Sequence, residues 1–318
     1  MFGARVKRIE DPALLRGRGR FIDDIHLPDL LHAAFVRSPH AHARIRGLDA
    51  TAALAMPGVH RVLTLADLKP HVATPRLPVA QPSAAIRQVL DPWILAEDEV
   101  CYVGEPVAIV IADNRYIAED AAQLVAVDYQ PLPAAVDARA AARPDAPRAH
   151  ADAPDNVVGA MTVTYGDVDA AFAKAAHAVR LSLKQHRGCG HALECRGVVA
   201  QFDPIEGRLT VWAGTQMAHR VQSILVALLR TDEDKVRVVA PDVGGGFGPK
   251  FVCYPEDAAI PIAAKILGRP VKWIEDRREH FIATTQERDQ YWDVEAAADG
   301  DGRLLGIRGA LVHDHGAY

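Results

Sequence analysis

The 318-residue chain holds only four cysteines, Cys101, Cys189, Cys195 and Cys253, irregularly spaced and with no CxxC pair. That excludes a disulfide framework and gives no zinc or iron–sulfur signature. Any iron–sulfur centre working with this chain is therefore expected on another polypeptide. No apolar run approaches the roughly 20 residues needed to cross a bilayer. The opening Met1-Phe2-Gly3-Ala4-Arg5-Val6-Lys7-Arg8 also lacks the apolar core of a secretory signal, so a soluble cytoplasmic protein without a membrane span is expected. There is no basic excess either. Lys plus Arg number 36 against 41 Asp plus Glu, a net charge of -5, which argues against a general nucleic-acid surface. No internal repeat is visible.

What is present is a hydrophobic content of 49%, enough over this length for roughly two domains with sizeable cores. In the first part, residues 31–37 and 60–65 are strand-like, 52–56 make a short helix ended by Pro57-Gly58, and 107–112 form an apolar run suited to a buried strand. Asp113 or Asn114 can cap a following helix whose apolar face is Ile117, Ala121, Leu124 and Val125. Between residues 131 and 155 the sequence becomes rich in Ala, Pro, Asp and Arg with no apolar period, which marks a connection. The resulting division is 1–135, a linker at 136–156, and 157–318.

Beyond the linker, residues 198–202 and 209–213 flank a turn and predict a hairpin. Val221, Ile224, Leu225, Leu228 and Leu229 follow a helical period. Pro255 opens a further helix that Gly268 and Pro270 close, with Pro261 expected in its first turn or so. Residues 292–298 and 304–312 pair across Asp299-Gly300-Asp301-Gly302. The fold class expected is mixed α/β of the α+β kind.

Glycine is concentrated at Val243-Gly244-Gly245-Gly246-Phe247-Gly248-Pro249-Lys250, between a β-rich run and a helix. A loop with so few Cβ atoms can adopt positive φ and turn consecutive amides toward an anion or a planar polar ring. It is not a phosphate-binding Walker loop, because no Ser or Thr follows Lys250.

This loop, with Gly214-Thr215-Gln216 before it, resembles the large subunit of the molybdenum hydroxylases, the family of xanthine dehydrogenase, aldehyde oxidase and aerobic carbon monoxide dehydrogenase. Gly17-Arg18-Gly19-Arg20-Phe21-Ile22-Asp23-Asp24-Ile25, Arg37-Ser38-Pro39-His40-Ala41-His42-Ala43-Arg44-Ile45 and Val103-Gly104-Glu105-Pro106-Val107-Ala108 are similar to its α/β-hammerhead domain. The resemblance implies a hammerhead domain followed by the first part of a molybdopterin-binding domain. It also implies a molybdenum–molybdopterin cofactor in its cytosine dinucleotide form, and a 2Fe-2S iron-sulfur small subunit and an FAD medium subunit as partners. By the same resemblance Gln216 and Phe247 serve the reaction, and Gln216, Gly245, Gly246, Phe247 and Gly248 contact the cofactor. No side chain is assigned as a direct metal ligand. The implied activity is oxidation of a small carbonyl compound, an N-heterocycle or carbon monoxide, with water as the oxygen source.

The carbon monoxide dehydrogenase-like branch fits best, because Phe251 stands where purine oxidisers carry a Glu after the lysine. In His191-Ala192-Leu193-Glu194-Cys195-Arg196-Gly197, the residues Glu194, Arg196 and Gly197 keep the family pattern, while Ala192 and Cys195 depart from it. The chain ends at Asp314-His315-Gly316-Ala317-Tyr318, a segment that in relatives runs on into further cofactor-binding sequence. The resemblance therefore covers roughly the first half of the large subunit. The general base belongs to the second half, expected as a separate chain. The rival readings are an inactive fragment of a split or interrupted gene and a subunit-docking module without catalysis.

The remaining candidates favour plainer roles. Glu194 with Arg196 is expected as a structural ion pair. His40 with His42, and His313 with His315, each place two imidazoles on one strand face without a third ligand, and are expected to be structural or superficial. Cys189 and Cys195 read as small packing residues. The mixed run Glu275-Asp276-Arg277-Arg278-Glu279-His280 reads as a solvated face.

Overall fold

The computed structural model describes residues 2–79 and 83–318. Its centre is a seven-stranded sheet in the order Val236–Val239, Arg208–Ala213, Gly197–Asp203, Val271–Ile274, Leu31–Arg37, Pro106–Ala112 and Val59–Leu63. All seven residues of Pro106–Ala112 are buried. A strand covered on both faces has no reason to alternate apolar with polar residues, hence its continuous apolar run.

Strands on either side of residues 136–156 share this sheet. Leu31 and His32 pair in parallel with Val271 and Lys272, so the N-terminal strands continue directly into the C-terminal ones. Trp273 packs edge-on against Phe35 across that seam, with ring centroids 5.3 Å apart. The main core lies there, made of Leu31, Phe35, Ile109, Ile111, Val198, Val211, Leu225, Leu228 and the inner face of Pro255–Leu267.

Two smaller sheets flank it. One joins Ala43–Asp49 with Glu99–Val100 and Ala126–Pro131, and the other joins His177–Gln185, Gln290–Ala298 and Leu304–His313. The last two strands pair antiparallel across the 299–302 turn, as their sequence predicts. So do Gly197–Asp203 and Arg208–Ala213. Asn114, not Asp113, caps Arg115–Gln123 by accepting from the Ile117 amide at 3.0 Å, while Asp113 binds His60.

Three local expectations are corrected. The strand expected at 60–65 is Val59–Leu63, and Leu65 instead begins a short helix, where Asp67 turns back to the Thr64 amide. His40 and His42 lie in the loop between two strands, not on a strand face. Pro261 sits at the middle of the helix Pro255–Leu267, not in its first turn. Its missing N–H removes one helical bond, a cost of about 3 kcal/mol in an isolated helix. Here the helix is buried on nearly every side from Pro255 to Ala264, and that packing holds it together.

Candidate functional site

The strand Val236–Val239 ends at the sheet edge and hands the chain to the glycine loop, which closes in the turn Pro249–Phe251 before Pro255–Leu267. Gly245, Phe247 and Gly248 all take positive φ, at 100°, 53° and 99°. Two other glycines answer a different need. A Cβ on Gly244 would lie 2.5 Å from the Glu194 Cβ, and one on Gly246 would lie 2.4 Å from the Gln216 Cδ. Both are thus required by packing against the chain itself.

That packing leaves a row of donors. The Gly244 amide donates to Glu194 Oε2 at 2.8 Å and the Gly248 amide to Gln216 Oε1 at 3.3 Å. Between them the N–H groups of Gly245, Gly246 and Phe247 have no hydrogen-bond partner among the described residues. Phe247 stands out from the loop, 74% exposed. Gln216 is held at the loop through its own amide, which donates to Lys250 O at 2.8 Å, and Thr215 Oγ1 donates to the same carbonyl. The structure therefore brings together Gln216, Gly245, Gly246, Phe247 and Gly248.

Three adjacent unpaired donors and a neighbouring carboxamide suit a group rich in hydrogen-bond acceptors. They include no thiolate or imidazole. Such a cradle fits a cofactor whose metal brings its own ligands, as a dithiolene pterin does. Phe251, beyond Lys250, is 51% exposed beside this loop.

The charges around the loop are paired differently from the sequence expectation. Glu194 and Arg196 do not pair with each other. Glu194 Oε2 accepts from Lys250 Nζ at 2.7 Å as well as from Gly244, and its Oε1 accepts weakly from the Ile22 amide at 3.3 Å. One carboxylate thus ties the start of the loop to its end. Arg196 instead turns inward, donating from Nε to Glu275 Oε1 at 2.9 Å and from Nη1 to Glu256 Oε2 at 3.1 Å. Glu256 also meets Arg37 at 2.8 Å, and Arg37 donates to Glu279 at 2.8 Å.

The 275–280 run is accordingly not a solvated face. Glu275 and His280 are buried, and His280 Nδ1 lies 2.9 Å from Glu275 Oε2. Burial by itself would raise the Glu275 carboxyl, but Arg196 outweighs it and holds the group down at about 2. This network escaped sequence reasoning because its partners are separated by 60 and 79 residues. Only the acidic pair Glu256-Asp257 at the start of an otherwise apolar helix hinted at it.

A second buried cluster lies at the chain's last residues. The Tyr318 hydroxyl donates to Glu105 Oε1 at 2.7 Å, and the Cys101 amide donates to Glu105 Oε2 at 2.5 Å. Burial pushes the Glu105 carboxyl up to about 7. Asp257 is likewise pushed up to about 7 by burial. His150 packs on the Tyr318 ring with centroids 4.8 Å apart, and Cys101 Sγ contacts its Nδ1 at 3.3 Å.

The histidine pairs have separate, local partners. His42 binds Glu99 and the Pro133 carbonyl, and His40 packs on Tyr129. His313 binds Gln290, and His315 the Tyr318 carbonyl. No helix among the described residues is long and apolar enough to cross a membrane.

Comparison with known proteins matches two stretches of the chain to families. Residues 149–318 match the family described as molybdopterin cofactor-binding domain, and residues 16–133 match the aldehyde oxidase and xanthine dehydrogenase a/b hammerhead domain. The chain is 42% identical to the nicotine 6-hydroxylase large subunit of Paenarthrobacter nicotinovorans, over all of this chain and 38% of that one. It is also 42% identical to the carbon monoxide dehydrogenase large chain of Hydrogenophaga pseudoflava, over 97% of this chain and 39% of that one. Among solved structures, quinoline 2-oxidoreductase from Pseudomonas putida 86 superposes with a TM-score of 0.90 at 39% identity, covering 99% of this chain and 40% of that chain. The chain thus spans about two fifths of the length of the relatives it matches.

Proposed function

The chain belongs to the molybdenum hydroxylase large-subunit family, as its hammerhead and the first part of its molybdopterin-binding domain, and we propose that it forms one wall of that family's catalytic pocket. The unpaired amides of Gly245, Gly246 and Phe247, with Gln216 docked beside them, carry this reading. They would hold the pterin group by hydrogen bonds. Phe247, projecting from the loop, would wall the substrate's approach.

When bound, the molybdenum–pterin group supplies a two-electron sink for oxidation of the substrate with water as the oxygen source. In balanced form R–H and H2O give R–OH, two protons and two electrons, and carbon monoxide and H2O give carbon dioxide, two protons and two electrons. The electrons would leave through 2Fe-2S and FAD centres on partner subunits. The cytosine dinucleotide form of the cofactor is part of the same proposal, as is a cytoplasmic location.

This chain's own contribution is positioning. The Gln216 carboxamide, its oxygen fixed by the Gly248 amide, would offer its N–H groups to the cofactor. The general base would come from the second half of the large subunit, supplied as a separate chain. The substrate class is a small molecule with an electron-poor carbon. Nicotine, quinoline and carbon monoxide in the relatives' names place N-heterocycles and carbon monoxide first for assay, with aldehydes beside them.

The test is co-expression with the second half of a large subunit and with iron–sulfur and flavin subunits, followed by substrate-dependent dye reduction in 18O-labelled water. The reading expects label from water in an N-heterocycle or aldehyde product, or in carbon dioxide. A molybdenum-loaded complex that oxidises none of these substrates would overturn the activity.

A further inference from the structure

Beside the glycine loop, the segment carrying Cys189 and His191 folds against the helix Arg277–Ala283. Gly190, between the two, is pressed so close that a Cβ there would meet Phe247 O and Pro249 Cδ at 2.9 Å. This fixes the backbone from which the two side chains leave. His191 packs over His280 and Phe281, with ring centroids 5.5 and 4.7 Å away. The sequence alone reads Cys189 as a small packing residue, because His280 lies about 90 residues further along.

We propose that Cys189, His191 and His280 form a binding site for a borderline divalent cation of the zinc type. One thiolate and two imidazoles make the mixed sulfur and nitrogen donor set that zinc takes. The three ligand atoms already lie within 4.8 Å of one another. Tetrahedral bonds of about 2.0–2.3 Å require ligand atoms roughly 3.5 Å apart, so the site must contract by about 1 Å. His191 is exposed and Cys189 only half-buried, its Sγ held by long contacts to the Gly190 and Thr285 carbonyls at 3.7 and 3.8 Å, so both side chains can make that adjustment.

His280 is oriented for the role. Its Nδ1 faces the Glu275 carboxylate at 2.9 Å, the arrangement by which an acidic partner fixes the tautomer of a metal-ligating histidine. Its Nε2 lies 3.2 Å from the Gly190 carbonyl, a hydrogen-bond acceptor. A bound cation takes the place of the proton that otherwise bridges that contact. Binding releases the Cys189 thiol proton and the His280 Nε2 proton to solvent, since the ligands are the thiolate and the Nε2 lone pair. Three protein ligands leave a fourth position for water.

A competing trio, Cys195, Glu275 and His280, has the same compactness. Its carboxylate is committed, however. Glu275 accepts from the Arg196 amide and guanidinium and from Thr284 Oγ1, so a cation there would have to displace a buried arginine. The geometry therefore favours the Cys189 trio.

The experiment titrates the 318-residue chain, stripped with chelator, with cobalt(II) as spectroscopic probe and then with zinc(II) as competitor. The expected result is a thiolate-to-cobalt charge-transfer band that saturates stoichiometrically and is bleached by zinc. Cys189→Ser abolishes the band. His191→Ala weakens binding by at least the roughly tenfold that loss of an outer-shell partner costs. Cys195→Ser leaves the titration unchanged. Neither Cys189 nor His191 is in the buried core, and near-ultraviolet circular dichroism of each variant checks that it folds. No band in the wild-type chain, or a band lost in Cys195→Ser and kept in Cys189→Ser, would overturn the assignment. The readout does not depend on a pterin, so its failure is distinguishable from failure of the cofactor proposal.

Discussion

Lys250 Nζ lies 2.7 Å from Glu194 Oε2, and the same oxygen accepts the Gly244 amide at 2.8 Å, so a single carboxylate closes the glycine loop at both ends. The Lys250 side chain is only 1% exposed. Glu194→Gln leaves that ammonium buried beside a neutral partner, and should destabilise the chain by about 3 kcal/mol in chemical denaturation. Lys250→Met in the same background removes the stranded charge and should recover part of the loss. Equal destabilisation by the single and double variants would contradict the clamp.

Gly246→Ala should be felt through Gln216. The added Cβ meets the Gln216 carboxamide at 2.4 Å, an overpacking clash worth about 1–3 kcal/mol. In a Gln216→Ala background the obstacle is gone, so the cost of Gly246→Ala should shrink to near zero. A double-mutant cycle by thermal denaturation measures this coupling, and additive effects would contradict the docked geometry.

Removing Arg196 should expose the cost of the network it neutralises. Arg196→Met strands Glu275 in the core and leaves Glu256 to Arg37 alone, a loss of about 3–5 kcal/mol. The acid side follows from Glu275. Its folded carboxyl is held at about 2 against an ordinary value of 4.5, so its stabilisation is complete above the unfolded pKa and is lost as pH falls through the folded one. Wild-type stability relative to Glu275→Gln should therefore fall as the pH drops from 4.5 to 2. A flat difference over that window would contradict the pairing.

Glu105 has the opposite sign. Burial raises its folded pKa from 4.5 to about 7, so its stabilising contribution is complete below the unfolded pKa and is lost as pH rises through the folded value. At 1.36 kcal/mol per unit, the wild type should lose on the order of 3 kcal/mol relative to Glu105→Gln between pH 4.5 and 8. Asp257, raised in the same way, contributes equally to both proteins and cancels in the difference. Paired denaturation curves across this range check the prediction. A difference that grows in favour of the wild type with pH would refute it.

What the sequence revealed was local. The glycines, the hairpin turns and the buried run at 107–112 each announce themselves within a few residues, because positive φ, turn chemistry and strand burial are set by neighbours along the chain, whereas Gln216 is singled out by the family resemblance alone. The Arg196 network and the contact of Cys189 and His191 with His280 are set by the sheet. Gly197–Asp203 lies directly beside Val271–Ile274, and this register brings residue 196 against residue 275. Nothing in the run Glu275-Asp276-Arg277-Arg278-Glu279-His280 distinguishes a solvated face from a buried one. The arginines that decide it stand at 37 and 196. Pro261 misled for a related reason, since burial on nearly all sides holds a helix that its own propensity would break.

The glycine loop and Gln216 as a pterin cradle are the centre of the account, and metal analysis tests them most directly. The chain is co-expressed with the remainder of the large subunit and its partner subunits, and the purified complex is assayed for molybdenum and pterin in wild-type and Gly246→Ala forms. The account predicts stoichiometric molybdenum and pterin in the wild type and a marked loss of both in Gly246→Ala at unchanged subunit assembly. An assembled wild-type complex without molybdenum or pterin, or a Gly246→Ala complex loaded as fully as the wild type, would contradict it.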